Sequence, residues 1–184
     1  MSDNSTRIPA SSQTVGPFFR IGLEYLVDRT PISSTGPEEM IEIRGCVLDR
    51  DGAPVTDAML EFWSGADVGT TPKGNDPARG IPEGFRRVAT DGSGAFTVVI
   101  ERPAAKPPSD AHFLVLVFAR GLLRHLITRV YLRDEAKHGS DAVLLQAPPD
   151  RRATLIARAD EKQVGLYWWD IVLQGANETV FFAW

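Results

Sequence analysis

The stretch FRRVATDGSGAFTVVI, residues 85–100, predicts two strands joined by a tight turn. Aromatic and β-branched residues recur on both flanks, and such side chains favour the extended backbone of a strand. The central residues Asp91–Gly94 combine aspartate, serine and two glycines, which are the residues that tight turns require. This alternation of a short strand and a turn sets the expectation for the rest of the chain.

The same pattern continues on either side of this stretch. Asp49–Gly52 is a second tight-turn signal, after which we expect Ala58–Trp63 to return beside the strand before it. His112–Ala119 is nearly all apolar, which is typical of a central strand covered on both faces. The further predicted strands are Ile41–Leu48, Leu126–Leu132, Tyr167–Leu173 and Thr179–Phe182.

Little of the sequence predicts helix. Asp134–Lys137 is compatible with one short turn, and Pro149–Ala157 begins with proline and places small and apolar residues on one helical face. Several short strands, regular turns and one or two short helices predict an all-β fold, an antiparallel β-sandwich. Residues 1–37 show no sustained period and predict an extended N-terminal arm, which leaves 38–184 as the sandwich domain.

Composition excludes several classes of partner. The 184 residues carry a net charge of −4, which argues against nucleic acid because phosphate binding needs a basic surface. No apolar run approaches the roughly 20 residues that cross a bilayer, so no membrane association is expected. No signal peptide is readable and the single cysteine, Cys46, forms no internal disulfide, so we expect a cytoplasmic protein.

Common catalytic motifs are missing from the sequence. Its histidines, His112, His125 and His138, lie too far apart in the chain to form a recognisable metal site, and His112 is interpreted as structural. Arg129 lies in a strand whose alternation places it on one face with Ile127 and Tyr131. From the pattern alone, Arg129 either grips a carboxylate ligand, or is solvated or paired within the chain.

Five segments, in this order and spacing, carry a resemblance to a known family. They are Gln13–Leu23, Gly45–Trp63, Phe118–Tyr131, Arg151–Ala157 and Asp170–Phe182. Together they resemble the intradiol ring-cleavage dioxygenases over about residues 11–184. The resemblance implies a β-sandwich, in agreement with the strand pattern.

The family's metal chemistry is expected to lie outside this chain. The resemblance implies a ferric ion held by two tyrosines and two histidines, the histidines in a His-x-His strand motif. Here the matching strand holds His112 but has Leu114 in place of the second histidine, and neither residues 102–108 nor 64–83 contain tyrosine. We therefore expect no metal ligands in this chain, with Fe(III) carried by a homologous β subunit.

The resemblance also implies what such a chain contributes as an α subunit. It implies a pocket between the two subunits, in which protocatechuate would be cleaved with O2 to 3-carboxy-cis,cis-muconate. By residue matching, the substrate-binding positions are Arg129, beside the substrate carboxylate, and the arm residues Thr14, Gly16, Pro17 and Phe18. The family often has tyrosine where this chain has Phe18, so this wall of the pocket is expected to be drier.

Two other hypotheses remain open at this point. The missing iron ligands are equally compatible with a non-enzymatic β-sandwich binding module. A self-sufficient dioxygenase would instead need an unusual ligand set such as His112, His125 and Tyr131.

Overall fold

The computed structural model describes residues 11, 13–16, 40–64, 84–104, 111–132 and 141–183. This part of the chain contains β1 (Met40–Leu48), β2 (Met59–Ser64), β3 (Phe85–Ala89), β4 (Ala95–Glu101), β5 (His112–Phe118), β6 (Leu126–Leu132), β7 (Ile156–Ala159), β8 (Leu166–Trp168) and β9 (Ile171–Val172). Its helical elements are α1 (Ala142–Gln146) and the 3₁₀ helix Arg152–Leu155. The all-β prediction is confirmed.

The strands form one sheet that curls back on itself. Its order is β3-β2-β5-β6-β7-β8-β1-β4, and β9 pairs with β1. The strands β3, β2, β5 and β6 make up one half, the strands β8, β1 and β4 the other, and β7 links the two. The turn Asp91–Gly94 therefore carries the chain from one half to the other, since β3 pairs with β2 and β4 pairs with β1.

Aromatic side chains from both halves meet in the core. Phe62 of β2 is fully buried and lies 6.1 Å, between ring centroids, from Phe96 of β4. It also makes edge contacts with Phe113 at 6.3 Å and Trp169 at 6.4 Å. Burial of large apolar side chains is the main favourable term in folding, so this contact between the halves stabilises the curl.

The strand pairing is mixed, whereas a wholly antiparallel sandwich was predicted. The pairs β1–β8, β1–β9 and β6–β7 are parallel. The expected return of Ala58–Trp63 beside the first strand is wrong as well, because β2 pairs with β3 and β5 while β1 pairs with β4. Local turn signals specify that the chain reverses, but they do not specify which strand it then joins.

The C-terminal third departs most from the prediction. The predicted strand Tyr167–Leu173 is broken into β8 and β9, and the predicted strand Thr179–Phe182 has no regular pairing. It is nevertheless attached to β6, because the Phe182 amide donates to the Ile127 carbonyl at 2.8 Å. Of the predicted helix Pro149–Ala157 only the 3₁₀ turn forms, since its last two residues enter β7 and pair with β6.

Other predictions fall partly or wholly outside the described residues. The turn at Asp134–Lys137 is one of these, and of the predicted arm only residues 11 and 13–16 are described. The boundary between residues 37 and 38 remains a prediction. Within the described part of the chain, no helix has the length and apolar character needed to cross a membrane.

The two faces of β5 differ. Phe113, Val115 and Val117 are fully buried in the core, while His112 and Leu114 on the opposite face are only half-buried. The expectation that both faces of this strand are covered is thus met on one face only. The half-buried outer face is where the candidate site lies.

Gly45 of β1 offers a direct test of how tightly the chain packs around the Phe62 cluster. A methyl group at this position would lie 1.7 Å from the Trp169 carbonyl oxygen, far inside contact distance. We expect Gly45→Ala to lower the free energy of unfolding by about 3 kcal/mol or more, because backbone must shift to admit the methyl. Denaturant unfolding measures this change.

Gly92→Ala is the matched control, because a methyl group there meets nothing within 4 Å. We expect it to change the free energy of unfolding by less than about 0.5 kcal/mol. Equal effects of the two substitutions would contradict the close packing at Gly45.

Candidate functional site

Strand β6 separates its side chains between two clusters. Val130 and Leu132 belong to the main core between the halves of the sheet. Tyr131 belongs to a second, outer cluster with Leu144, Ala147, Leu155 and Val180. The alternation predicted from the sequence is therefore observed, and it places Arg129 on the outer face together with Tyr131.

Arg129, Tyr131 and Asp141 form a compact polar network in this outer layer. The Arg129 Nη1 lies 3.8 Å from Asp141 Oδ2 and 3.4 Å from the Tyr131 hydroxyl. That hydroxyl donates to Asp141 Oδ1 at 3.2 Å. The Asp141 side chain is fully buried, and a buried carboxylate needs such partners because desolvation penalises its charge.

Asp141 is held in place by the start of α1. Its Oδ1 accepts hydrogen bonds from the backbone amides of Val143 and Leu144, both at 2.9 Å, and so caps the helix. The carboxylate thereby connects the helix to β6. Sequence reasoning missed this residue, although aspartate directly before Ala-Val-Leu-Leu is a helix-start signal that could have found it.

Tyr131 is the most perturbed titratable group of the network. Burial raises the pKa of Tyr131 to about 12. The charge and hydrogen bond of Arg129 lower this pKa, whereas those of Asp141 raise it. The ring of His112 lies 5.5 Å from the Tyr131 ring, on the neighbouring strand position. The hydroxyl therefore remains protonated at neutral pH and is available as a hydrogen-bond donor to Asp141.

The guanidinium of Arg129 is only partly satisfied by this network. Its side chain is 12% exposed, and its Nε is buried without a hydrogen-bond partner among the described residues. Pairing within the chain, one of the two interpretations of the sequence, is thus present: Arg129 donates a long hydrogen bond to the Tyr131 hydroxyl at 3.4 Å and forms an ion pair with Asp141 at 3.8 Å. An incoming acceptor could still form charge-assisted bonds with the remaining donors.

The arm residues contact a different part of the β5–β6 pair. The Gly121 amide, in the turn between these strands, donates to Thr14 Oγ1 at 2.8 Å. Gly16 is exposed, and a methyl group there would meet nothing within 4 Å. Pro17 and Phe18 lie outside the described residues.

A groove of about 660 Å³ runs beside this turn. Among the described residues it is lined by Gln13, Val15, Phe118, Ala119, Leu122, Leu123, Arg124, His125, Leu126, Ile127, Phe181, Phe182 and Ala183. Arg129 is not part of this lining, although Ile127, two positions earlier on the same face of β6, is. The structure therefore brings Arg129 together with Tyr131 and Asp141, and not with Thr14.

The described residues do not fit a ferric site of two tyrosines and two histidines. Tyr131 lies in the outer cluster and Tyr167 in the main core, on opposite faces of the sheet. His112 faces Tyr131 at one end of β5, whereas His125 contacts Phe118 at the other end, about 20 Å away. No group of three histidine, cysteine or carboxylate side chains converges within the described ranges.

This separation also contradicts the ligand set suggested for a self-sufficient enzyme. His112 and Tyr131 are neighbours, but His125 lies at the far end of the strand pair. The three side chains cannot bind one ion.

Comparison with solved structures defines the class of this fold. The chain superposes with a TM-score of 0.58 on the dioxygenase domain of a dioxygenase carbohydrate-binding protein fusion from the cellulolytic bacterium Streptomyces sp. SirexAA-E. The two are 26% identical, and the match covers 79% of this chain and 86% of the other. Fold and sequence together thus point to a dioxygenase β-sandwich.

Comparison with curated proteins narrows this class to a family. The chain is 38% identical over 187 residues to the protocatechuate 3,4-dioxygenase alpha chain of Burkholderia cepacia, covering 93% of this chain and 95% of that one. It is 27% identical to the beta chain of the same organism, covering 77% of this chain and 67% of that one. The chain belongs to the intradiol ring-cleavage dioxygenase family. A scan against protein-family models gives no match.

The pKa of Tyr131 predicts how stability depends on alkaline pH. Between the unfolded pKa of 10.0 and the folded value of about 12, the folded protein keeps a proton that the unfolded chain has lost. We therefore expect the free energy of unfolding to fall across this window by about 1.4 kcal/mol per pH unit from this group. Unfolding measured from pH 9 to 12 tests the slope.

Tyr131→Phe is the control for this measurement, because it removes the titrating hydroxyl and keeps the ring. Subtracting its pH profile from that of the unmodified protein isolates Tyr131 from lysines and other tyrosines. Parallel profiles would show that Tyr131 ionises equally in both states and is not buried as described.

Proposed function

We propose that this chain is the α-type subunit of a heteromeric dioxygenase, in which it completes the substrate pocket of an iron-bearing β subunit. The complex would cleave protocatechuate between its two hydroxyl-bearing carbons, adding both atoms of O2 to give 3-carboxy-cis,cis-muconate. This chain's own part is to bind and orient the substrate.

One observation supports the proposal more than any other. The similarity to the alpha chain from Burkholderia cepacia extends over nearly the whole of both chains, and it exceeds the similarity to the beta chain of that organism. The replacement of a second histidine by Leu114, opposite Arg129 in the β5–β6 ladder, is consistent with the assignment. Fe(III) is accordingly assigned to the partner subunit.

Arg129 is the residue of this chain proposed to bind the substrate carboxylate. Its guanidinium presents several donors in a planar fork, which matches the two oxygens of a carboxylate. The unbonded Nε gives a physical reason for an acceptor to bind here, because a buried donor without a partner costs about 1–3 kcal/mol. The carboxylate contact would fix the orientation of the ring before it reacts.

The arm is proposed to supply a second wall of the pocket through Thr14, Gly16, Pro17 and Phe18. Thr14 attaches the arm to the Gly121 turn by a hydrogen bond, and this contact fixes one point of the arm on the body of the subunit. Gly16 has open space around it, which leaves room for another chain or a ligand to approach its backbone.

A non-enzymatic binding module is the alternative. It would account for the absence of a ligand cluster in the described residues, but it offers no reason for membership in a family of ring-cleavage enzymes. The two functions differ in whether the chain requires a homologous partner.

Co-expression with a homologous β chain tests the assignment of the metal. We expect this chain purified alone to carry far less than one iron atom, and the co-purified pair to carry about one ferric ion bound by the β chain. Metal analysis with gel filtration measures both quantities. Stoichiometric iron in the isolated chain, or failure of the two chains to associate, would contradict the proposal.

Replacement of Arg129 tests the substrate contact. In the complex we expect Arg129→Ala to raise KM for protocatechuate about tenfold or more, since one charge-assisted contact contributes roughly 1.5–3 kcal/mol. Arg129→Lys keeps the charge but loses the planar fork, so we expect a smaller rise. Steady-state kinetics measures these constants, with thermal unfolding as a check on folding.

Arg44→Ala is the matched control for Arg129→Ala. Arg44 is also a strand arginine paired with a carboxylate, Glu42 at 2.7 Å, but it lies on β1 in the other half of the sheet. We expect its KM to be unchanged. An unchanged KM in Arg129→Ala would remove Arg129 from the substrate site.

A further inference from the structure

We propose that Tyr131 and Asp141 are positioning residues that hold the guanidinium of Arg129 in the orientation needed to bind the substrate carboxylate. The inference rests on the function proposed above for Arg129. It concerns two residues that do not themselves touch the substrate.

The geometry provides Arg129 with a fixed support. Its Nη1 faces the Tyr131 hydroxyl at 3.4 Å and Asp141 Oδ2 at 3.8 Å, and both of these partner side chains are fully buried. An arginine side chain has many rotamers and loses that freedom when it binds a ligand. A support on one edge of the guanidinium reduces this loss and makes the ligand contact stronger.

The support is itself rigid. Asp141 is fixed by the two amides at the start of α1, and the Tyr131 hydroxyl is fixed by its bond to Asp141 Oδ1. The Tyr131 ring packs with the buried residues of the outer cluster and with His112. Arg129, supported in this way, already has its binding geometry before the substrate arrives.

The support leaves part of the guanidinium unused. Nη1 faces the network, whereas the buried Nε has no partner within the described chain. At 3.8 Å the contact with Asp141 Oδ2 is an ion pair and too long for a hydrogen bond, so it leaves the hydrogen-bond donors of the guanidinium available to a ligand. The guanidinium is thus fixed at Nη1 by Tyr131 and Asp141 and keeps Nε free to donate to a ligand, as expected of a positioned binding group.

Two opposite electrostatic outcomes make the inference testable. If Asp141 merely neutralises Arg129, removing its charge strengthens carboxylate binding, because the guanidinium field is then uncompensated. If Asp141 positions Arg129, removing its charge weakens carboxylate binding. Asp141→Asn distinguishes these cases and retains a residue that can cap α1.

The experiment uses the complex with the β chain and two probes of similar shape, protocatechuate (3,4-dihydroxybenzoate) and its neutral amide, 3,4-dihydroxybenzamide, in which an uncharged amide replaces the carboxylate. We expect Tyr131→Phe and Asp141→Asn each to raise KM for the carboxylate about three- to tenfold, with little change for the amide. In an Arg129→Ala background, Tyr131→Phe should not change KM further, because Tyr131 acts on the substrate only through the guanidinium that is now missing.

Tyr167→Phe is the matched control. Tyr167 is another buried tyrosine that accepts a hydrogen bond from an arginine, Arg102 at 3.1 Å, but it lies in the main core. We expect it to leave the ratio of the two KM values unchanged.

Three results would overturn the inference. Equal KM changes for both probes, or an undiminished effect of Tyr131→Phe in the Arg129→Ala background, would show a merely structural role. Tighter carboxylate binding in Asp141→Asn would show a neutralising one. In each case an intact effect of Arg129→Ala would leave the proposed substrate contact of Arg129 standing. No effect of Arg129→Ala on either probe would overturn that contact and this inference with it, but not the subunit assignment, which iron content and association with the β chain test separately.

Discussion

The register of β5 against β6 is the constraint on which the site depends. It pairs Leu114 with Arg129 and His112 with Tyr131, and it sends Val130 and Leu132 into the core. A slip of one residue would exchange the two faces, burying a guanidinium among aliphatic side chains. The apolar side chains that hold the register therefore also decide which polar side chains reach the outer face.

The two faces of this strand pair have different tasks. The inner face contributes to the cluster around Phe62 that joins the halves of the sheet. The outer face is only half-buried along β5, and it carries Arg129 with its buried supports Tyr131 and Asp141. Such a face is where a second chain or a ligand can add contacts without disturbing the core.

Local patterns in the sequence were sufficient to predict where most strands lie and which face of β6 carries Arg129. The alternation in Leu126–Leu132 and the turn at Asp91–Gly94 are properties of neighbouring residues, so they can be read directly. Strand pairing is a long-range property, which explains why β2 was placed beside the wrong strand. The first two residues of β7, Ile156 and Ala157, fall inside the predicted helix because they follow a helix-start signal, although their pairing with β6 decides their conformation.

The candidate site was predicted only in part, for a related reason. Arg129 was identified by its position in a strand and by family resemblance, whereas Asp141 lies ten residues beyond Tyr131 and meets it only in the folded chain. The ion pair between Arg129 and Asp141 could not be derived from spacing alone. The contact between Thr14 and Gly121 joins residues 107 positions apart, so spacing alone could not predict it either.

The most direct test of this account is a structure of the complex between this chain and its β partner with 3,4-dihydroxybenzoate bound. The account predicts that the guanidinium of Arg129 lies within about 3 Å of the substrate carboxylate, with the Asp141 network intact behind it. A substrate carboxylate held entirely by other residues, with Arg129 still facing only Tyr131 and Asp141, would contradict it.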